Sequence, residues 1–246
     1  MRPVMMATAL MIAARQAMSK LCLALDFPTS KEALNFLKPF EGETVMVKLG
    51  MQLYYAEPSF LKVLKDKGFE VFLDLKLMDI PRTVFGAISS LTAFKPDYLS
   101  IHALGGIEML KAANEAKKDI KLLGISVLTS LDESDLRSFG LDLKVSEVAQ
   151  KLALNMAIAG LDGFVSSAAE VGAIKEKHPN LIALTPGIRL EAKTQESAQK
   201  DDQKRAFTPQ EASDAGSDIL VLGRALSKSS DPFQTYLQIK DSLWKK

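Results

Sequence analysis

The sequence predicts a (β/α)8 barrel, and three observations carry that prediction. Short apolar runs alternate with amphipathic stretches from Leu21 to the C-terminus. Strands that alternate with helices imply right-handed crossovers and a parallel sheet. The apolar runs lack strict two-residue alternation, as expected of parallel strands covered on both faces. About eight such units fill 246 residues, which matches a closed barrel. A doubly wound open sheet is the alternative, but the Gly-x-Gly-x-x-Gly fingerprint after a first strand is missing.

Taken in order, the strands are expected at residues 21–26, 45–49, 69–76, 98–102, 122–128, 163–166, 181–185 and 219–222. The helices are expected at 31–40, 57–67, 83–93, 106–117, 145–159, 168–177, 209–215 and from 231 onward. Pro28-Thr-Ser30 supplies the start of the first helix. No low-complexity linker divides the chain, so residues 19–246 read as one catalytic barrel domain. Residues 4–14 are apolar behind Arg2 and faintly imitate a signal peptide, but they are too short to span a bilayer. Residues 1–18 read as a disordered extension, or as the product of an upstream start codon with the natural start at Met18.

Composition excludes several function classes. A net charge of +1 gives no general attraction for nucleic acid or anionic membrane, so any anion binding must be local. Cys22 is the only cysteine, which rules out an intramolecular disulfide or multi-cysteine metal site and fits a reducing cytoplasm. His102 and His178 lie far apart and offer no metal-ligand spacing. The ten methionines read as core filler.

The chemistry concentrates in Val71-Phe-Leu-Asp74-Leu-Lys76-Leu-Met-Asp79-Ile-Pro81-Arg-Thr83. Residues two apart on a strand share a face, so Asp74 and Lys76 are expected to project together, with Asp79 on the following turn. Buried charges persist only as a compensated network, and such networks shift pKa values at active sites. An ordinary salt-bridged strand end is the blander alternative. In a barrel, polar residues at the carboxyl ends of the strands should converge. Asp26, Lys48, Asp74, Lys76, His102, Thr129, Ser130, Arg189 and Gly223-Arg224 all fall at such ends. Asp26 alternatively caps the next turn, and His102 reads as a hydrogen-bonded structural residue.

Phosphate commonly binds the loops after strands seven and eight, where backbone N–H groups approach the anion. Thr185-Pro-Gly187-Ile-Arg189 and Leu222-Gly223-Arg224 open those two loops, and both arginines suit charge-assisted bonds. Each Gly-Arg pair taken singly is also an ordinary helix entry with a solvated arginine. Residues 193–205 read as a solvated loop or, beside a phosphate site, as a mobile lid.

Leu25-Asp26, Val47-Lys48-Leu-Gly50, Asp74-Leu-Lys76-Leu-Met-Asp79-Ile-Pro81-Arg-Thr83, Leu128-Thr129-Ser130, Thr185-Pro-Gly187-Ile-Arg189, Asp202-Gln203-Lys-Arg205 and Gly223-Arg224 occur in that order. In these motifs, from about Ser19 onward, the chain closely resembles the bacterial orotidine 5′-phosphate decarboxylase family (EC 4.1.1.23). The resemblance implies cofactor-free and metal-free conversion of orotidine 5′-monophosphate to UMP and CO2, the last step of UMP biosynthesis. It implies Lys76 as the acid that protonates C6, with Asp74 beside the departing carboxylate. Lys48 and Asp26 would hold ribose hydroxyls, Lys48 also bridging the carboxylates. Thr129 and Ser130 would lie by the pyrimidine edge, and Arg189, Gln203, Gly223 and Arg224 would grip the phosphate. Asp79 and Thr83 would reach the neighbouring subunit's site, so the working unit would be a homodimer. Thirteen residues separate Arg189 from Gln203, longer than the usual bacterial spacing, and Gln195 competes for the Gln203 role.

Three rival readings fit the same sequence. A Mg²⁺-dependent sugar-phosphate decarboxylase or lyase of the same superfamily would carry an acidic ligand where this chain has Lys48. A Schiff-base aldolase would use Lys76 as its nucleophile. A non-catalytic nucleotide-binding barrel would bind without turnover.

Overall fold

The structure, a computed structural model, describes residues 19–190 and 207–244. The N-terminal extension expected at residues 1–18, Gln195, Gln203 and the whole of the expected lid lie outside the described residues. Eight strands, β1 (Lys20–Ala24), β2 (Met46–Gly50), β3 (Glu70–Leu77), β4 (Tyr98–His102), β5 (Lys121–Ile125), β6 (Gly163–Val165), β7 (Ile182–Thr185) and β8 (Ile219–Leu222), form a closed barrel. Every neighbouring pair is parallel, and β8 returns to β1 with Leu21 opposite Leu220. The expected (β/α)8 barrel is therefore observed.

Three strands stop short of their expected ends, β6 by the single residue Ser166. β1 ends at Ala24 and β5 at Ile125, so Asp26 and Thr129 stand on loops. Each ladder still gains one further bond past its last paired residue, from Leu25 N–H to the Lys48 carbonyl and from Ser126 N–H to the Val165 carbonyl. The apolar sequence runs on although the strand does not, because Leu25 and Val127 stay buried past the last paired residues.

Alternation sorts the core into two compartments. Cys22, Ala24, Met46, Phe72, Tyr98, Leu123, Ile125, Val165, Leu184, Ile219 and Val221 fill the barrel interior. Leu21, Leu23, Val47, Leu49, Val71, Leu73 and their equivalents face outward against the helices in the larger cluster. Gly163 is required at its place, because a Cβ there would lie 2.3 Å from the Ile182 carbonyl oxygen. Burial pushes the Cys22 thiol pKa up, which makes it an inert filler.

The helices are α1 (Ser30–Leu37), α2 (Met51–Ala56), α3 (Phe60–Asp66), α4 (Pro81–Leu91), α5 (Ile107–Ala116), α6 (Glu133–Ser138), α7 (Val145–Ile158), α8 (Ala168–Lys177), α9 (Pro209–Asp214), α10 (Arg224–Ser227) and α11 (Pro232–Trp244). Thr29 caps α1 by accepting the Glu32 N–H. Pro81 occupies the first turn of α4, where its missing N–H costs nothing. Three short helices, α2, α6 and α10, depart from the expected pattern. The capping box of Asp132 and Asp135 that starts α6 was present in the sequence, but too few apolar residues follow it to show a period.

One device recurs at the amino end of the barrel. Asp97, Asp162 and Asp218 each precede an even-numbered strand. Their Oδ2 atoms accept the N–H groups of Val71, Leu122 and Ala183 at 2.7, 2.8 and 2.7 Å. Each also accepts a lysine, Lys65, Lys117 or Lys175, from or just beyond the helix that leads into the neighbouring odd-numbered strand, within 2.6 Å. Helix, strand and strand entry are thereby tied together in three quarters of the barrel. Before β2 the equivalent residue is Val45, and the clamp is absent there.

Candidate active site

The site begins with an irregularity in β3. Leu73 pairs with Leu99 but Leu77 pairs with Ile101, so β3 carries extra residues between them and bulges. Lys76 adopts a left-handed backbone conformation with φ 51°. The simple strand alternation expected for Asp74 and Lys76 is thus broken, yet their side chains meet. Lys76 Nζ lies 2.7 Å from Asp74 Oδ2. Lys48, from β2, places its Nζ 3.9 Å from the same oxygen and 2.8 Å from Asp26 Oδ1. The result is an unbroken chain of alternating charge, Asp26–Lys48–Asp74–Lys76, across the carboxyl ends of β1 to β3.

Burial makes that chain consequential. Asp74 is 8% exposed, a rare state for a carboxylate unless it is paired. Its second oxygen, Oδ1, accepts the Ser100 hydroxyl at 2.8 Å. Burial opposes the charge on Lys48, but Asp26 and then Asp74 outweigh it and hold its pKa above the ordinary lysine value. Lys48 therefore stays an ammonium throughout the neutral range. Asp26 is the solvent-facing end of the chain, its side chain 63% exposed.

The charges form one side of a cavity of about 510 Å3. Phe72, Ile125, Val127, Val165, Leu184 and Val221 supply apolar wall, and Thr129 and Ser166 add hydroxyl groups. Pro186, Gly187, Arg189, Gly223 and Arg224 complete the lining. Gly187 takes φ 82°, a conformation that suits glycine. Phe207 fixes that loop: its N–H donates to the Gly187 carbonyl at 3.2 Å, and its carbonyl accepts the Arg189 N–H at 2.9 Å. A cavity of this volume, with apolar wall between a charge array and two glycine–arginine loops, has room for an aromatic heterocycle with an anionic tail.

The structure brings together Asp26, Lys48, Asp74, Lys76, Thr129, Arg189, Gly223 and Arg224 in one cavity. Other expected residues stand apart within the single chain. Asp79 and Thr83 are exposed, and Asp79 accepts the Ile80 N–H at 2.6 Å. Ser130 is exposed and does not line the cavity. Gln203 and its competitor Gln195 lie outside the described residues. His102 accepts the Leu104 N–H on Nδ1 at 3.4 Å and ties down the loop after β4. Burial, and then the nearby Lys76 ammonium, lower its pKa, so it is neutral at pH 7. Sequence reasoning overlooked Ser100 and Ser166. Ser100 was detectable as a polar residue in the inward register of β4, two positions from both Tyr98 and His102.

A (β/α)8 barrel with a buried charge array and glycine–arginine loops on one cavity defines an enzyme for a small anionic substrate. The family model for "Orotidine 5′-phosphate decarboxylase / HUMPS family" matches residues 19–239, and the chain belongs to that family. A relative from Oenococcus oeni named orotidine 5′-phosphate decarboxylase is 42% identical over 222 residues, covering 88% of this chain and 95% of its own. One from Pseudomonas paraeruginosa with the same name is 40% identical over 220 residues, covering 87% and 93%. Among solved structures, an orotidine 5′-phosphate decarboxylase from Lactobacillus acidophilus superposes with a TM-score of 0.77 at 31% identity, covering 92% of this chain and 99% of the other. An uncharacterized conserved protein from Geobacillus kaustophilus gives 0.79 at 35% identity, covering 91% and 99%.

Proposed function

We propose that this enzyme decarboxylates orotidine 5′-monophosphate to UMP and CO2 without a cofactor, using Lys76 as the acid. The observation that carries the reading is the Asp26–Lys48–Asp74–Lys76 chain, with Lys76 Nζ held 2.7 Å from Asp74. The bond from C6 to the carboxylate breaks, and its electron pair stays on C6. The Lys76 ammonium gives a proton to that carbon, and water later restores the lysine. A localised carbanion has no electron sink in the ring, so a fixed cation beside it is the remedy. A unit charge pair near 4 Å contributes on the order of 4 kcal/mol at an effective dielectric of 20. Each 1.36 kcal/mol that appears only in the transition state raises the rate about tenfold. An array already ordered by mutual attraction supplies this without reorienting as charge develops.

The remaining assignments follow the cavity. Asp74 faces the departing carboxylate and anchors Lys76, while Asp26 and Lys48 bind ribose hydroxyls. Thr129 lies at the pyrimidine edge. Gly187, Arg189, Gly223 and Arg224 bind the phosphate, remote from C6, so that phosphate binding serves to orient the base. The working unit is a homodimer in which Asp79 and Thr83 reach the neighbouring site. Exposed Met51, Tyr55, Met78, Ile80, Phe85 and Leu104, on or near the segments after β2, β3 and β4, support that reading. The location is cytoplasmic, in keeping with a single buried cysteine. No helix among the described residues is long and apolar enough to cross a membrane. A Mg²⁺-dependent lyase is disfavoured by Lys48, whose ammonium already stands between the two carboxylates a metal would need.

The test is UMP formation from orotidine 5′-monophosphate by purified protein, with and without a strong chelator. Equal turnover in both is expected. Turnover abolished by chelator, or binding without turnover, would overturn the proposal.

A further inference from the structure

Ser100 has no part in the roles assigned above, yet it is fully buried and bonded to both ends of the catalytic pair. Its hydroxyl donates to Asp74 Oδ1 at 2.8 Å and accepts the backbone N–H of Lys76 at 2.8 Å. We propose that Ser100 is a positioning residue for the reaction, setting the geometry of Asp74 and Lys76 from the neighbouring strand. This inference rests on the decarboxylase reading of the site.

The direction of both bonds is dictated. An ionised carboxylate can only accept, so the single hydroxyl proton goes to Asp74, and a lone pair remains for the Lys76 N–H. The β3 bulge takes Lys76 out of regular register with β4 and turns its backbone left-handed. Ser100 takes its N–H there, which anchors the conformation that sends the ammonium back over Asp74. The same hydroxyl fixes the carboxylate rotation, so that Oδ2 faces Lys76 at 2.7 Å and Lys48 at 3.9 Å. One buried oxygen therefore controls both the backbone of the acid and the side chain that anchors it. Ser100 does not line the cavity, so it acts through these neighbours and not on substrate.

A displaced acid should cost rate more than affinity, since misplacement near 1 Å can cost about 10²-fold. The test compares Ser100→Ala, Ser100→Cys and Ser100→Thr with the parent protein, measuring kcat, KM, UMP affinity and thermal unfolding. Cysteine keeps the shape but bonds weakly, while threonine keeps the hydroxyl. Ala and Cys variants are expected to lose about 10- to 100-fold in kcat, with KM and UMP affinity within about threefold. The Thr variant should recover most of kcat. Should Ser100→Ala fail to fold, the Cys and Thr pair decides. The proposal is overturned if the folded Ala or Cys variant turns over within twofold of the parent. It is also overturned if kcat and UMP affinity fall together with stability, or if Thr is no better than Cys. Absence of turnover in the parent would instead sink the decarboxylase reading, which separates the two failures.

Discussion

Lys76 occupies a backbone conformation that a non-glycine residue adopts at a cost of about 1–3 kcal/mol. Lys95 and Lys118 share it, but both stand just past helical segments, where a left-handed residue is an ordinary terminator. Lys76 alone adopts it inside a strand, and it does so next to a buried carboxylate. Strain kept at this point suits the acid role proposed for Lys76. The neighbouring His102 gives a pH test at the same scale. Its folded pKa lies below the unfolded value near 6.5, so between the two the unfolded chain binds more protons. Stability is then present above pH 6.5 and falls as the pH drops through that window. Urea denaturation at pH 7 and pH 5 should show a steeper loss for the parent than for His102→Asn. Identical losses would remove His102 as a contributor.

At the scale of elements, the sequence made the barrel legible because each buried strand is a dense apolar run bounded by polar helix entries. What it hid was local. The bulge in β3 leaves no compositional trace, since Leu75 and Leu77 continue the apolar pattern through it. The short helices α2, α6 and α10 are too brief for periodicity to register. The aspartate clamps are equally invisible in one dimension, because each lysine and its aspartate lie far apart in the chain. Asp162→Ala should leave the Leu122 N–H and the half-buried Lys117 without their acceptor, costing about 1–3 kcal/mol of unfolding free energy. Asp66→Ala breaks an exposed i,i+4 pair and should change stability little. Chemical denaturation of both variants checks this, and equal effects would deny the clamps a special role.

At the scale of the molecule, the cavity uses three sources that are remote in sequence: charges from β1 to β3, hydroxyls after β5 and β6, and glycine–arginine loops after β7 and β8. Chain closure into a barrel is what unites them, and their common position at strand ends is legible in the sequence. The proposed phosphate side is described only in part, because Gln203 falls outside the described residues. Asp79 and Thr83 are exposed and do not line the cavity of their own chain, and the role proposed for them lies between two copies of it. Mixing Lys76→Ala with Asp79→Ala protein tests this, since each heterodimer would regain one native site. Heterodimers that form without recovering activity would contradict the sharing of sites.

The most direct measurement is the turnover of Lys76→Ala set beside its affinity for UMP. Turnover should fall by about 10²–10⁴-fold, the usual contribution of a positioned acid, while UMP binding persists within about tenfold. A Lys76→Ala protein that forms UMP at a rate comparable to the parent's would contradict the account.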